Sequence, residues 1–298
     1  RKEPLHMQIE LDILESLGLA IIAYIIGAFV KGKFDFFRKF FIPSPVIGGL
    51  FISILVFIAK RSFSYDFSFD NILQDFFMNI FFAAIGLSCS FKSLKKAGFL
   101  GLKLAIAIII LLPLQNIVAV GLSILLGINP LHGVAMGSTS MTGGIGSAIS
   151  FGKIMEGMGA SNNTSIGVAA ATFGLLVGSL VGGPVAKKLI NKYNLKSVGS
   201  LDIKKEDINI KNIDQNSLMR AIVIIGLSAF LGTFINKILK LTPLSFPYYV
   251  GCQFGGLIVR NIYDSLKKDI DMKNINIVGN ISLNLFLSLA LINLNIAA

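Results

Sequence analysis

The amino-acid sequence predicts an all-α integral membrane protein. Of its 298 residues, 54% are hydrophobic and only 14% are charged, whereas soluble domains carry roughly 25% charged residues. The mean hydropathy is +0.75. Eight apolar segments approach the roughly 20 residues that a helix needs to cross a bilayer. Spanning strands would have to alternate apolar and polar residues within a closed barrel, and no such alternation is evident, so helices are predicted.

The eight predicted spans are joined by polar connections. They cover residues 13–30, 41–59, 72–90, 104–126, 165–190, 218–236, 244–260 and 275–295. The first span follows acidic residues rather than a basic leader, which predicts a retained helix and not a signal peptide. The two cysteines, Cys89 and Cys252, lie in or beside apolar segments, which favours packing over a disulfide or a metal site.

The basic residues lie mostly between the spans and predict the orientation of the chain. With the N-terminus outside, eighteen Lys and Arg residues lie in inner connections and five in outer ones. Because cytoplasmic loops are the basic ones, an outside N-terminus is predicted. The net charge of +11 is then a property of orienting loops, which argues against a nucleic-acid-binding surface.

A polar segment with charges of both signs divides the spans into two groups. We predict a first transmembrane repeat at residues 11–190, a cytoplasmic linker at 191–216 and a second repeat at 217–298. SPVIGGLF (Ser44–Phe51) in the second span resembles FPYYVGCQFGGLI (Phe246–Ile258) in the seventh. Since the first group has an odd number of spans, a second copy would enter the membrane upside down, as in the inverted repeats of secondary transporters.

If this motif marks a true repeat, the second copy is partial. The first copy runs on from Gly48 to Ile190, whereas the second runs only from Gly255 to Ala298. We therefore expect a complete first repeat of five spans and a second repeat of three. The counterparts of the fourth span, the polar interruption after it and the fifth span would be missing.

The interruption reads GSTSMTGGIGSAISFG, Gly137–Gly152, and carries no charge. Glycine costs about 1 kcal/mol in a helix interior relative to alanine. Irregular backbone at membrane depth is tolerated only where protein or a water-filled cavity satisfies its polar groups. Residues 131–155 are therefore predicted to form a re-entrant hairpin whose tip binds substrate and ion. An extramembrane loop and an ordinary span with small residues at a helix interface are the alternatives.

The chemistry of this tip suits small ions. Freed carbonyls and hydroxyls are hard oxygen ligands for a small cation, and freed amides at a half-helix N-terminus suit a carboxylate. The hydroxyls are those of Ser138, Thr139, Ser140, Thr142 and Ser147. Thr172 in the fifth span can face the hairpin or bond to its own helix. Asn284 in the eighth span is a polar residue within an apolar helix and needs a partner, either another helix or an ion.

Two blocks in this region, SMTGGIGSAISFGKIM and VAAATFGLLVGSLVGGPVAKKLI, resemble the sodium/glutamate symporter family. Its members carry a Ser/Thr-Gly-Gly-His-Gly-Thr run, then Ala-Thr-Phe-Gly-Leu and Gly-Gly-Pro-Val-Ala. The likeness extends in order to FIPSPVIGGLF (Phe41–Phe51), FFAAIGLSCS (Phe81–Ser90) and GNISLNLFLSLAL (Gly279–Leu291).

The resemblance implies a sodium-coupled importer of glutamate in the bacterial cytoplasmic (inner) membrane. It implies two inverted five-helix repeats, each with a re-entrant loop, and an elevator mechanism in which a core slides against a dimeric scaffold. Na⁺ would be the coupling ion, with no organic cofactor. The expected partners are glutamate or a similar anionic amino acid, membrane lipid and a second copy of the chain, without nucleic acid.

On this basis two sets of site residues are predicted. The substrate-binding set is Ser140, Thr142, Gly143, Gly144, Gly146 and Ser147, and the sodium-binding set is Ser138, Thr139, Thr172 and Asn284. The sequence departs from the family pattern at Ile145, where histidine is usual, which bears on substrate identity and proton handling. It also lacks the family's second glycine-rich loop, in agreement with a partial second repeat.

Three alternatives accompany the symporter prediction. The first is a sodium- or proton-coupled transporter of another dicarboxylate or amino acid, and the second is a non-transporting fragment. The third, an intramembrane hydrolase, would need paired aspartates, a Ser-His or Ser-Lys dyad or metal ligands inside the spans. Only Asp75 lies close to a span interior and no histidine lies within a span, which disfavours an enzyme.

Overall fold

The computed structural model of the chain describes residues 7–40, 42–63, 65–194, 214–242 and 246–294, which are mostly helical. The helices are α1 (Ile13–Lys33), α2 (Asp35–Lys39), α3 (Ser44–Phe63), α4 (Ile72–Ser88), α5 (Phe91–Leu125), α6 (Pro130–Val134), α7 (Gly144–Gly157), α8 (Asn163–Tyr193), α9 (Gln215–Leu239), α10 (Tyr248–Ser265) and α11 (Met272–Ile292). A π-helical segment (Ala135–Thr139) follows α6, and there are two strands, β1 (Met7–Leu11) and β2 (Tyr65–Phe69).

Each of the eight predicted spans coincides with a helix. Six helical segments are long and apolar enough to cross a membrane, namely α1, α3, residues 98–125 of α5, α8, α9 and α11. Helix α4 is apolar but has only 17 residues, and α10 carries Gln253, Arg260 and Asn261 among its 18. The chain is thus a multi-pass, predominantly helical membrane protein. Residues 195–213, most of the predicted linker, lie outside the described residues.

Helices α1 and α3 cross at two glycines with their backbones almost in contact. Gly48 of α3 faces the carbonyl oxygen of Ala23, and Gly27 of α1 faces the backbone of Ser44. Any Cβ at these positions would overlap the neighbouring backbone. Glycine is therefore required at these two positions, because only a residue without a Cβ atom lets the two backbones approach this closely.

Helices α9 and α10 cross in the same manner. Gly255 of α10 faces the carbonyl oxygen of Ser228 and the backbone nitrogen of Gly232, as Gly48 faces Ala23 and Gly27. Two pairs of consecutive spans therefore share one packing geometry.

Replacing Gly48 with alanine is expected to destabilise the α1–α3 crossing. The added methyl group forces the two backbones apart, and overpacking of this kind typically costs about 1–3 kcal/mol. The variant should therefore show a lower Tm when thermal unfolding is followed by circular dichroism in detergent. Gly18→Ala is the matched control, since a Cβ there meets no described atom within 4 Å. Equal Tm values for the two variants would contradict the close crossing.

Strands β1 and β2 form a parallel pair that the all-α prediction did not include. Met7 lies opposite Tyr65, and Leu11 lies opposite Phe69. Phe69 is buried beside Ala20 and Ile52, while the preceding Ser68 is exposed, as expected for a strand with one covered face. We call the end of the bundle that carries this pair the strand end; α1 and α4 begin there.

At the opposite end of the bundle, Asp271 caps the start of α11. Its carboxylate accepts the backbone N–H groups of Lys273 (3.1 Å) and Asn274 (3.3 Å) and the hydroxyl of Ser217 at the start of α9 (2.8 Å). The hydrogen bond from Ser217, followed by those from Asn274 and Lys273, lowers the pKa of Asp271 below its ordinary value, although partial burial acts in the opposite direction. The carboxylate therefore links α9 to α11.

Replacing Asp271 with alanine is expected to lower the free energy of unfolding by about 1 kcal/mol, the usual cost of losing an N-cap. The folded-state pKa lies below the unfolded value of about 3.9, so the carboxylate stabilises the fold above that value. This stabilisation is lost as the pH falls through the folded-state pKa. The Tm difference from the native chain should therefore be present at pH 7 and disappear in acid. Asp269→Ala, in the preceding turn, is the control, and a difference that persists in acid would contradict this role.

Candidate functional site

Residues 130–157 form a helical hairpin that packs between α5 and α8. Helix α6 and the π-helical segment make the first arm, the chain reverses at Thr142 and Gly143, and α7 makes the second arm. At the base, Leu131 of the first arm packs in one cluster with Met155 of the second. The two ends of the hairpin therefore lie together.

The base of the hairpin is tied to the start of α8. Asn163 is fully buried, and its Oδ1 lies 2.7 Å from Nδ1 of His132. The Asn163 amide also donates to the carbonyl oxygen of Leu131 at 3.2 Å. His132 therefore has a structural contact at the base, away from the tip.

The first arm breaks at Gly137, whose ψ of −133° is not helical. The break frees the N–H of Ser138, which donates to Oδ1 of Asn116 in α5 at 2.9 Å. The Asn116 side chain approaches so closely that a Cβ at Gly137 would lie 2.5 Å from its oxygen. The π-helical geometry around this break is of the kind that recurs at functional sites.

The tip of the hairpin is open to its surroundings. Thr142 and Gly143 are exposed, and their N–H groups donate to the carbonyl oxygen of Ser138 at 3.1 and 3.0 Å. The Thr142 hydroxyl donates to Oε1 of Gln115 at 2.7 Å. Gly144, with φ of +72°, then begins α7 in a backbone conformation that favours glycine.

Ser140 lies behind the tip and is only 2% exposed. Its hydroxyl contacts two carbonyl oxygens, that of Ala135 in the same arm and that of Gly167 in α8 at 2.7 Å. A hydroxyl has one hydrogen and can donate to only one of them at a time. Three protein oxygens therefore converge where the hairpin meets α8.

The start of α7 packs into the main hydrophobic core. Ile145 is 7% exposed and belongs to the cluster that contains Phe82, Tyr249 and Phe286. A Cβ at Gly146 would lie 3.5 Å from the Phe286 ring. Ile145 thus contributes an apolar side chain to the core, where an unpartnered imidazole would be unfavourable.

The remaining predicted residues occupy separate surroundings. Ser147 lies within hydrogen-bonding reach of Tyr249. Thr139 is half-buried in the first arm. The Thr172 hydroxyl donates to the carbonyl oxygen of Val168 in its own helix at 2.9 Å, and Asn284 is half-buried on α11. The hairpin therefore brings the Ser138–Ser147 group together, with Thr172 on the adjacent helix α8 and Asn284 on α11.

Sequence reasoning missed Gln115 and Asn116, the two α5 residues that hold the hairpin. The signal was present, because QN is a polar pair inside the apolar run LLPLQNIVAV and lies two residues after the helix proline Pro113. In the described residues, no group of three His, Cys, Asp or Glu side chains is placed to hold a metal ion. Backbone carbonyl, hydroxyl and amide oxygens are the ligands that this region offers.

Six apolar helices and a broken hairpin, uncharged over residues 137–152 and held between two of the helices, define a multi-pass α-helical membrane protein of the transporter class. The family model for the sodium/glutamate symporter matches residues 9–298. The chain therefore belongs to the sodium/glutamate symporter family, whose members are transporters and not enzymes.

Individual relatives agree with this assignment. The chain is 32% identical over 295 residues to the sodium/glutamate symporter of Escherichia coli K12, covering 96% of this chain and 73% of the relative. It is 32% identical over 293 residues to the sodium/glutamate symporter of Haemophilus influenzae Rd, covering 95% and 72%. No solved structure matches the chain.

Proposed function

We propose that this protein carries out sodium-coupled symport of L-glutamate across the bacterial cytoplasmic membrane. The observation that supports this most directly is the match to the sodium/glutamate symporter family over residues 9–298. The broken hairpin provides the uncharged, oxygen-rich tip that such a transporter needs inside an apolar helical bundle.

The position of the hairpin along α5 supports a re-entrant arrangement. Its tip contacts Gln115, about ten residues before the end of α5 at Leu125. At 1.5 Å per residue this is about 15 Å along the helix axis, half the thickness of a bilayer core of about 30 Å. The hairpin thus enters the membrane, reaches the midplane and returns.

The ion and the substrate are bound by neighbouring groups of residues at the tip of the hairpin. Na⁺ is bound by oxygens of the broken first arm, including the hydroxyl oxygens of Ser138 and Thr139. The side-chain oxygens of Thr172 and Asn284 complete the set from the adjoining helices. The carboxylates of glutamate are bound beside the turn at Thr142 and Gly143 and at the first turn of α7, where the backbone amides of Gly144, Gly146 and Ser147 face an anion favourably. Ser140, behind the tip, positions the hairpin through its contacts with Ala135 and Gly167.

Glycine contacts support the inverted repeat. Gly49, next to Gly48 in α3, faces Leu291 of α11, and Gly256, next to Gly255 in α10, faces Ala83 of α4. Exchanging α3 with α10 and α4 with α11 therefore interchanges these two contacts, as expected for two copies of one three-helix unit. The first repeat is residues 11–190, the linker 191–216 and the second repeat 217–298, with the N-terminus outside.

The outer surface of the bundle suits a lipid environment. Helix α5 has no buried residues across its most apolar stretch and exposes Ile109, Ile117 and Leu125. In a bilayer these side chains contact lipid chains. The homodimer and the elevator movement follow from the family resemblance.

Uptake by reconstituted protein tests the proposed function. Proteoliposomes with an inward sodium gradient should accumulate radiolabelled L-glutamate at least about tenfold faster than those with choline, and equal sodium on both sides should abolish the difference. Uptake that follows a proton gradient instead, or that excess unlabelled L-glutamate does not inhibit while another dicarboxylate does, would contradict sodium–glutamate coupling. Lack of uptake under every gradient would identify a non-transporting chain.

A further inference from the structure

A second polar site lies away from the hairpin tip, in a cavity at the strand end of the bundle. The cavity has a volume of about 240 Å³ and is bordered by α4, α7, the start of α8 and the end of α11. Eight polar side chains line it, namely Asn71, Gln74, Lys153, Glu156, Asn162, Thr164, Ser165 and Asn293. This many polar side chains in one concave space are typical of a site for a small polar ligand.

Two of these side chains are buried without a partner. Gln74 is only 1% exposed, and its Nε2 has no hydrogen-bond partner among the described residues. The same is true of Oγ1 of Thr164. Leaving such a group unpaired is unfavourable, so buried unpaired groups that line a cavity indicate a ligand that pairs with them.

The cavity also holds one cationic and one anionic group on successive turns of α7. Nζ of Lys153 forms an ion pair with Oδ1 of Asp75 at 3.6 Å, a distance too long for a hydrogen bond, so its hydrogen-bond donors remain available to the cavity. Glu156 uses Oε1 to accept the N–H of Thr164 at 2.8 Å. Its second oxygen, Oε2, can accept a hydrogen bond from a ligand.

These charges exclude a simple ion. A lone cation would meet the ammonium of Lys153, and a lone anion would meet the carboxylate of Glu156. A zwitterion satisfies both, and the ammonium and carboxylate of an α-amino acid are attached to the same carbon, which suits two opposite charges on adjacent turns of one helix. A volume of about 240 Å³ accommodates an amino acid of ordinary size.

We propose that this cavity binds the zwitterionic head of an α-amino acid. Lys153, Gln74 Nε2 and Thr164 Oγ1 donate to the carboxylate, and Glu156 accepts from the ammonium. This proposal rests on the proposed function in one respect: the solute proposed for transport, L-glutamate, is itself an α-amino acid. Its position at the strand end, separate from the tip, makes it a second station for the solute.

Calorimetric titration of the purified chain in detergent tests the site, with choline replacing sodium. L-Glutamate should bind saturably, and L-glutamine, which keeps the zwitterionic head, should bind at the same site. Glutarate, which lacks the ammonium, should not. Lys153→Gln and Gln74→Leu should each weaken L-glutamate binding at least about tenfold, whereas Lys240→Gln, which removes a lysine elsewhere, should not.

Several results would overturn the proposal. The absence of saturable heat would mean that the cavity holds only water. Glutarate binding as tightly as L-glutamate would contradict the role of the ammonium group. Unchanged L-glutamate binding in Lys153→Gln would contradict the role of Lys153. Circular dichroism melting of each variant separates lost binding from lost fold. Sodium-driven uptake without Lys153-dependent binding would contradict this site alone, and Lys153-dependent binding without uptake would contradict the transport function alone.

Discussion

Replacing Asn116 with leucine is expected to reduce sodium-driven L-glutamate uptake at least about tenfold. The Asn116 side chain accepts the N–H of Ser138 at the break in the first arm, and leucine of similar size offers no acceptor. An unpaired buried N–H costs about 1–3 kcal/mol, and 1.4 kcal/mol corresponds to a factor of ten. At the proposed depth of the hairpin in the bilayer no bulk water is present to replace the lost acceptor, so the first arm should lose its broken geometry.

Initial uptake rates, normalised to the amount of folded protein in the vesicles, measure this effect. Ile117→Leu is the matched control because Ile117 is the next residue of α5 and its side chain is 66% exposed. The control should transport at the native rate. A native rate in Asn116→Leu would show that the contact between α5 and the hairpin is not needed for transport.

Replacing Ser140 with alanine should lower the maximal uptake rate at least about tenfold with little change in KM. The hydroxyl lies between the carbonyl oxygens of Ala135 and Gly167, so its loss removes the hydrogen bond that it donates there and loosens the hairpin from α8. These contacts indicate that Ser140 acts by positioning the hairpin, whereas the sequence predicted a substrate ligand. The kinetic constants decide between the two roles.

Ser150→Ala is the control for this variant. Ser150 is also a buried serine of the hairpin, 5% exposed, but its hydroxyl contacts the carbonyl oxygen of Gly146 in its own helix at 2.8 Å and, outside that helix, the weakly accepting sulfur of Met78 at 3.0 Å. Its loss should therefore affect uptake much less. A raised KM with an unchanged maximal rate and an unchanged Tm in Ser140→Ala would identify Ser140 as a direct substrate ligand.

The positions of the spans could be predicted well because apolar length is a local property. The predicted first span, 13–30, lies within α1 at Ile13–Lys33, and the predicted eighth span, 275–295, overlaps α11 at Met272–Ile292. The strand pair was missed because its two five-residue strands are separated by more than fifty residues of sequence. The alternation in YDFSF is too short to stand out beside the long apolar runs.

The site residues could be predicted only in part because side-chain direction is a tertiary property. The glycines and hydroxyl residues of the hairpin predicted an irregular segment. They did not indicate which helix would supply hydrogen-bond partners for the backbone N–H groups that the irregularity leaves unpaired. Gln115 and Asn116 answer that question from α5. Their polarity was visible in the sequence, whereas the side of α5 that faces the hairpin was not.

The sequence by itself determined a membrane-embedded helical protein, its family and the location of the interruption, because hydrophobic length and glycine content act through local free energies. The tertiary structure decided what each polar group does. It directs the Ser140 hydroxyl to Ala135 and Gly167, buries Ile145 among aromatic rings and gathers Lys153, Glu156 and Gln74 around one cavity. Such pairings depend on how helices distant in sequence pack together, and that arrangement exists only in the folded chain.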